Sequence, residues 1–244
     1  YSDFGNAFVY KLSSLYKLGD NLRLRSSLSS FFNDPAFTQI YTQKLQYRFV
    51  PGQGVQVGGL INNVSPQARL LGISRLKPEL SENFTFGLAG NISAQMNFTL
   101  DYYNIDLRDR IVLGTEIFST GDPNNSLDAL LSQNNLIDLS FFSNALNTRT
   151  SGIDLVYAYK NINLGRGYLN LNLSGNYQFT NKRVGEVKNI DIVEQAGQSV
   201  VNASQEALFF TSRPKSKFIL GSQYNLGKFV FNFNHTYFEK TTFK

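Results

Sequence analysis

The sequence predicts an all-β protein whose strands form an antiparallel transmembrane β-barrel, here as a segment of about eight strands. Apolar and polar residues alternate along eight stretches of the chain, the connections between these stretches alternate between short and long, and the polar positions carry few charges. The clearest stretch is residues 168–180, where Leu, Tyr and Phe alternate with Asn, Ser and Gln. Because successive side chains of a strand point to opposite faces, each stretch predicts one apolar face and one polar, nearly uncharged face.

The other seven stretches share this alternation over shorter lengths. They comprise residues 8–18, 22–32, 80–88, 96–102, 153–160, 218–226 and 229–237. Beyond Tyr102 the phase of the pattern drifts toward Ile105 and Leu107, and this drift predicts a β-bulge.

The connections predict two different rims. Short turns are expected at residues 19–20, 90–91, 165–167 and 226–228. Long connections run over residues 33–77, 114–147 and 182–212, and we expect them to be largely structureless, apart from a short helix within residues 124–133. A membrane barrel has tight turns at one rim and long loops at the other, so the long connections are predicted to be outer loops.

The composition excludes several classes of protein. The 244 residues include 23 Lys and Arg against 18 Asp and Glu, so the formal net charge is +5 and the charged share is 17%, below the roughly 25% of an average soluble domain. There is no Cys and only one His, His235, so disulfides, thiolate nucleophiles, His-based triads and multi-His metal sites are excluded. No apolar run approaches the length of a transmembrane helix.

The apolar and polar faces of the predicted strands indicate that one face contacts lipid and the other contacts water. In hydrocarbon every backbone amide must be paired within the protein, so only helices and closed barrels span a membrane. The Leu and Phe faces would then contact lipid and the Asn and Ser faces would line an aqueous interior. A soluble β-sandwich that binds carbohydrate is an alternative, and it predicts apolar faces pressed against each other in two layers.

Several segments of the sequence match motifs of one known protein family. The best matches are residues 76–83, with a Lys-Pro-Glu step into a strand, and residues 101–111. Asn33 and Asp34 replace the Arg and Ala of the family's Phe-Arg-Ala-Pro-Ser element. Residues 24–37 are a partial match, and residues 141–145 and 148–154 look like family members from Bacteroidetes-type bacteria. Together these segments resemble the TonB-dependent outer-membrane receptors.

This resemblance implies a 22-stranded barrel filled by an N-terminal plug, in the outer membrane of a Gram-negative cell. It implies a non-enzymatic importer of a scarce nutrient, such as a ferric siderophore or a glycan, which the TonB complex drives. Implied partners are the protein's own plug, TonB, lipid and lipopolysaccharide, and the nutrient, with a surface lipoprotein as a further candidate. We expect residues 1–244 to be a partial barrel that lacks the plug and the final strands. A passive porin and a structural or adhesion barrel remain alternatives.

Cationic side chains on the predicted inner face are the candidate ligand contacts. Lys11, Arg23, Arg25 and Lys160 all have inward parity, and a positive lumen would attract an anionic ligand. The same cations can instead pair with carboxylates of the barrel or plug, or with lipopolysaccharide phosphates. They are spread over three of the alternating stretches without a recognition helix or a clustered patch, so binding to nucleic acid is not expected.

No catalytic residue, metal ligand or cofactor is predicted. Asp101, Asp106 and Asp109, with the nearby Arg108 and Arg110, could be acid/base pairs or calcium ligands, but we favour a network of ion pairs. His235 shares a strand face with Phe233 and Tyr237 and is expected to be an interfacial side chain rather than a metal ligand.

Overall fold

The computed structural model describes residues 8–52 and 54–241 and contains two β-sheets and five short helices. The strands are β1 (Lys11–Lys17), β2 (Leu22–Asn33), β3 (Lys44–Val50), β4 (Gly54–Leu60), β5 (Glu79–Asn91), β6 (Met96–Leu113), β7 (Ile117–Phe118), β8 (Asp138–Ser140), β9 (Phe142–Leu164), β10 (Gly167–Arg183), β11 (Ser216–Leu226) and β12 (Phe229–Phe238). The helices are α1 (Phe37–Tyr41), α2 (Pro66–Leu70), α3 (Ser126–Gln133), α4 (Asp191–Gln195) and α5 (Ala203–Phe210).

Eight strands form the main sheet, in the order β1-β2-β5-β6-β9-β10-β11-β12. Every neighbouring pair is antiparallel. These are the eight strands that the alternation predicts, in chain order, so the predicted antiparallel β-barrel architecture is confirmed. Among the described residues β1 and β12 do not pair with each other, so the eight strands form an open, barrel-like sheet rather than a closed eight-stranded barrel.

The apolar face of the main sheet is exposed. Leu12 of β1 is 71% exposed, Phe86 of β5 47% and Phe231 of β12 56%. The exposure therefore extends over strands in different parts of the sheet. Within residues 8–52 and 54–241 no second layer covers this face, so the arrangement that a soluble sandwich requires is not found. None of the helices in this part of the chain is long and apolar enough to cross a membrane.

The strands are long enough to span a bilayer. From Leu169 to Phe179, at the two ends of the apolar row of β10, the chain advances ten residues, or about 33 Å at about 3.3 Å per residue. At a tilt of about 40° this length gives a height of about 25 Å, which is the height of the apolar band of a membrane barrel.

Three of the four predicted short turns lie where the sequence places them. Two of them are two-residue turns, through Gly165 and Arg166 between β9 and β10 and through Gly227 and Lys228 between β11 and β12. The positive φ of Gly165 (61°) and of Gly227 (58°) explains the choice of glycine. The prediction of a turn at residues 90–91 was wrong by a few residues. Pairing of β5 with β6 continues to Asn91 and Asn97, and the chain reverses over residues 92–95.

The predicted bulge is present in β6, but it lies farther beyond Tyr102 than the drift of the pattern indicates. Pairing of β6 with both neighbours is continuous through Leu107, and the register shifts only between Leu107 and Ile111, where Asp109 has a φ of 54°. Apolar and polar residues still alternate beyond Tyr102, but each type now lies on the opposite face of the sheet. Ile105 and Leu107 lie on the otherwise polar face, while Asp106 lies on the face of Tyr102, because this end of the strand has passed beyond the apolar band.

The long connections are not structureless, contrary to expectation. They contain all five helices and a second sheet, of order β3-β4-β8-β7, in which β4 from the first connection pairs in parallel with β8 from the second. Helix α3 confirms the short helix predicted within residues 124–133. We call these segments, residues 34–78, 114–141 and 184–215, the loop cap.

One hydrophobic core joins the three parts of the loop cap. Ile73 of the first connection, Leu127 and Leu139 of the second, and Val193 and Val200 of the third are each at most 1% exposed and belong to one cluster. Burial of side chains from all three connections stabilises the cap as a unit, since each contributes about 1.5–3 kcal/mol of transfer free energy. Sequence alternation alone does not reveal this packing, because the core residues come from three segments far apart in the chain.

Candidate functional site

The polar face of the main sheet holds the four predicted ligand-binding cations, but it does not gather them into one site. Lys11 lies on β1 opposite Ser29, whereas Arg23 lies on β2 opposite Lys17. Arg25 follows on β2, and Lys160 lies near the far end of β9, with β5 and β6 between those two strands. Their role as ligand contacts therefore stays a prediction.

Arg25 has a carboxylate partner two strands away. Its Nε donates to Asp101 Oδ1 at 2.8 Å and its second guanidinium nitrogen to the other carboxylate oxygen. β5 lies between the two residues, with Gly87 directly opposite both of them. A Cβ at Gly87 would lie 1.8 Å from Asp101 Oδ1, so the missing side chain provides the space for the ion pair.

A second group of polar side chains lies on the same face. Asn176 Nδ2 of β10 donates to Asp154 Oδ1 of β9 at 2.8 Å and to the Tyr103 hydroxyl oxygen of β6 at 3.1 Å. The Tyr103 side chain reaches over Gly152, where an added Cβ would lie 2.5 Å from the tyrosine oxygen. Two glycines on different strands thus allow side chains to interact across an intervening strand.

The register connects both groups in one transverse row. Directly paired positions place Arg25, Gly87, Asp101, Asp154, Asn176 and Lys217 side by side across six strands. The sequence already indicates inward parity for Arg25, but it gives no sign that Asp154, Asn176 and Lys217 share its row. Alternation gives the face of a residue, whereas the row depends on the register between strands.

The carboxylates of β6 form ion pairs, as the sequence analysis favours. Asp106 accepts from Arg149 of β9 at 2.6 Å, and Asp109 pairs with Lys188 of the loop cap. Arg108 pairs with Glu82 of β5 at 3.2 Å, whereas the Arg110 guanidinium lies 5.2 Å from the centre of the Phe209 ring. Among the described residues no cluster of three or more His, Cys, Asp or Glu side chains could hold a metal ion.

The single histidine lies on the apolar face. His235 of β12 is directly opposite Leu220 of β11, and Phe233 and Tyr237 are its same-face neighbours along the strand. This position agrees with the predicted interfacial side chain.

An arginine links the first two parts of the loop cap. Arg48 of β3 approaches Glu116 at 2.7 Å and Asp138 of β8 at 3.2 Å. The Asp138 side chain is 3% exposed, and this burial raises the pKa of its carboxyl, an effect that the nearby Arg48 charge opposes. Gly58, paired with Asp138, leaves room for the carboxylate, because an added Cβ would lie 2.1 Å from its oxygen.

A second aspartate organises the start of α3. Asp128 accepts from the Ser119 and Thr120 hydroxyls and from the backbone N–H groups of Thr120 and Gly121, the last two at 3.0 and 3.1 Å. These hydrogen bonds favour the ionised form and lower the pKa of Asp128 to about 2. The carboxylate is therefore charged at neutral pH and holds residues 119–121 against the helix.

The arrangement of the polar face suits non-covalent binding. The polar face offers fixed amides, carboxylates and cations, and a cavity of about 280 Å³ lies beside Asp154, Asn176 and Lys217. Larger clefts of about 410 and 500 Å³ open in the loop cap, the first beside Asp128 and the second between Leu71 and Asp191.

Known structures have the same fold. The chain superposes on the siderophore receptor PirA from Acinetobacter baumannii with a TM-score of 0.61 and 17% identity, over 100% of this chain and 30% of that one. A mutant ferric enterobactin receptor from Pseudomonas aeruginosa, in complex with enterobactin, gives 0.61 and 14%, over 98% and 29%. The RagAB peptide transporter gives 0.59 and 12%, over 97% and 30%. The chain thus spans about 30% of the length of these proteins.

The family assignment rests on sequence. No curated protein matches the chain in sequence. The sequence model described as "TonB dependent receptor-like, beta-barrel" matches residues 1–243. Since this match covers nearly all of the sequence, the chain belongs to the TonB-dependent receptor family, as the segments around residues 76–83 and 101–111 suggested.

Proposed function

We propose that this chain is part of the barrel wall of a TonB-dependent importer in the outer membrane of a Gram-negative cell. Members of the family are outer-membrane transporters rather than enzymes. The observation that carries the proposal is the exposed apolar face of the main sheet, which backs onto a face of hydrogen-bonded polar side chains. Such a sheet needs lipid on one side and water on the other.

The loop cap would lie outside the cell and contribute to nutrient capture. It emerges from the sheet end at which the outward-facing residues become charged, as at the Asp106–Arg149 ion pair. A charged outward face fits the headgroup region and the water beyond it. In the part of the chain that the structure describes, the connections at the opposite end are short turns. The nutrient would be a ferric chelate, a glycan or another large molecule.

The partners of the whole protein are part of this proposal. A plug domain of the same protein would fill the barrel, and the TonB complex would supply energy for its rearrangement. A surface lipoprotein is proposed as a further partner, as the family resemblance implies. We also propose that residues 1–244 are a part of the barrel, because they cover about 30% of the solved receptors.

Lys11, Arg23, Arg25 and Lys160 enter the proposal as contributors to a positive interior. They are spread over three strands, so they act through their summed field rather than as one binding site. Arg25 contributes least, since Asp101 neutralises it. Replacing Lys11, Arg23 and Lys160 together by Gln should slow the entry of an anionic nutrient, and the slowing should disappear at high salt.

Growth assays on intact cells test the proposed import. The experiment uses a deletion strain complemented with the full-length gene, supplied with single ferric chelates or glycans as the sole source of iron or carbon. We expect growth on at least one of them, and loss of that growth when TonB is also removed. A passive porin predicts growth that does not depend on TonB, and an adhesion barrel predicts no growth difference.

Fractionation tests the location of the protein independently. The full-length protein should be recovered with the outer membrane. It should also migrate differently on gel electrophoresis before and after boiling, as closed membrane barrels do. Recovery of the folded protein in solution without detergent would contradict the proposal.

A further inference from the structure

Two opposite charges on the polar face have no ionic partner among the described residues. Asp154 of β9 accepts a hydrogen bond from Asn176, and Lys217 of β11 lies beyond Asn176 in the same transverse row. In the same row, Arg25 is neutralised by Asp101. The unpaired carboxylate and ammonium flank the cavity of about 280 Å³, which Asn176 also lines.

The two charges are held apart rather than free to pair. The Lys217 ammonium lies 5.3 Å from the centre of the Phe238 ring on β12, the neighbour on the side away from Asp154. Asn176 stands between the two charged residues, and its amide is bound to both Asp154 and Tyr103. Paired Cα atoms of adjacent antiparallel strands are about 4.5–5.5 Å apart, so the two charged residues are separated by about 10 Å across the sheet.

The adjacent row completes an amphipathic surface. Val156, Ser174 and Ile219 are directly paired across the same three strands and also line the cavity. The site thus has a charged row, with a carboxylate at one end and an ammonium at the other, beside a row with two aliphatic side chains and a hydroxyl. A ligand that fits has a cationic end, an anionic end and a small apolar body between them.

We propose that this cavity binds a short zwitterionic ligand of the dipeptide type. The ligand's ammonium would lie at Asp154 and its carboxylate at Lys217, with its side chains against Val156 and Ile219. A dipeptide spans about 7 Å at about 3.4 Å per residue, so its terminal charges reach both partners across a gap of this width. This inference rests on the proposed function, because it assigns a ligand class to the polar interior of an importer.

Binding of defined peptides to the full-length protein in detergent tests the site. The probes are Ala-Ala with free termini and N-acetyl-Ala-Ala-amide, whose ends are uncharged, and calorimetry measures their affinity. We expect the free dipeptide to bind at least tenfold more tightly than the blocked one. Equal binding of both peptides, or no binding of the free one, would overturn the proposal.

Matched variants test whether Asp154 and Lys217 contact the charged ends of the dipeptide. Asp154→Asn and Lys217→Gln should each weaken binding of the free dipeptide at least tenfold and leave any binding of the blocked one unchanged. The controls are Asp20→Asn and Lys228→Gln, which make the same charge changes in short turns and should alter affinity less than twofold. If the site variants bind as tightly as the wild type while folding normally, the charges serve another contact and the proposal fails.

The outcome is distinguishable from that of the proposed function. TonB-dependent growth on some nutrient, without dipeptide binding, overturns only the site. Dipeptide binding that depends on Asp154 and Lys217, in a protein whose uptake is independent of TonB, supports the site and overturns the importer.

Discussion

The Arg25 guanidinium reaches across Gly87 to the Asp101 carboxylate, so an ion pair joins two strands that are not neighbours in the sheet. Tyr103 makes a similar reach across Gly152 to Asn176. In both places a glycine in the strand between them leaves the space that the longer side chains occupy. These contacts link the polar face at right angles to the backbone hydrogen bonds of the strands.

We predict that Gly152→Ala destabilises the protein more than Gly87→Ala. The new Cβ at position 152 meets the Tyr177 carbonyl oxygen at 2.5 Å, which is backbone and cannot rotate away. Overpacking of this kind costs about 1–3 kcal/mol. At position 87 the clash is with a side chain that can rotate, so the loss is at most the half-exposed ion pair, about 1 kcal/mol or less. Urea unfolding of the full-length protein in lipid vesicles measures both values, and the reverse order would contradict this account.

A lysine on the apolar face should cost far more than one on the polar face. Leu100 and Thr99 are neighbours on β6 that point to opposite faces. Leu100→Lys should lower the free energy of unfolding in vesicles by about 2–4 kcal/mol, because the charge faces hydrocarbon. Thr99→Lys is the matched control and should lower it by less than about 1 kcal/mol. Equal effects would show that the Leu100 face does not contact lipid.

Loss of Arg48 should loosen the loop cap at the junction of its first two parts. Arg48→Met leaves the buried Asp138 carboxylate without its positive neighbour. Because Arg48 itself is 36% exposed, we expect a cost of about 1–3 kcal/mol, as for a buried polar group that loses its partner. We expect faster hydrogen exchange in residues 54–60 and 138–140. Adding Asp138→Asn should restore most of the protection, since the buried group is then neutral. Failure of this second change to restore protection would argue against a charge effect.

How firmly residues 119–121 are held against helix α3 should depend on pH, because Asp128 binds them. Its pKa is lowered to about 2 by hydrogen bonds, so its stabilising contribution is complete above the ordinary value of 3.8 and is lost as the pH falls toward 2. Hydrogen exchange of the Thr120 and Gly121 amides should accelerate over this range, beyond the intrinsic effect of pH. In Asp128→Asn the pH-dependent change should vanish. An unchanged profile in that variant would assign the effect to another group.

The contribution of Asp138 to stability should depend on pH in the opposite direction to that of Asp128. Burial raises the pKa of this carboxyl, so folding favours its protonated form, and the cost of holding the charge appears as the pH rises through the raised value. Asp138→Asn should therefore stabilise the loop cap more at neutral pH than at pH 4. Proteolysis of the loop cap at the two pH values measures this difference, and a variant that is less stable at both would show that the Arg48 pair outweighs the burial.

The sequence by itself determined the eight long strands, their apolar and polar faces, the two unequal rims and the family. A period of two fixes which face each side chain takes, and this local property needs no knowledge of neighbouring strands. The tertiary structure decided what depends on contacts between distant segments. The register placed Asp154, Asn176 and Lys217 in one row, packing joined three irregular connections into one cap, and the edge of the apolar band inverted the polarity of β6 at Ile105 and Asp106. These features arise from pairing and burial between residues far apart in the chain. A local sequence pattern does not predict the free energy of such contacts.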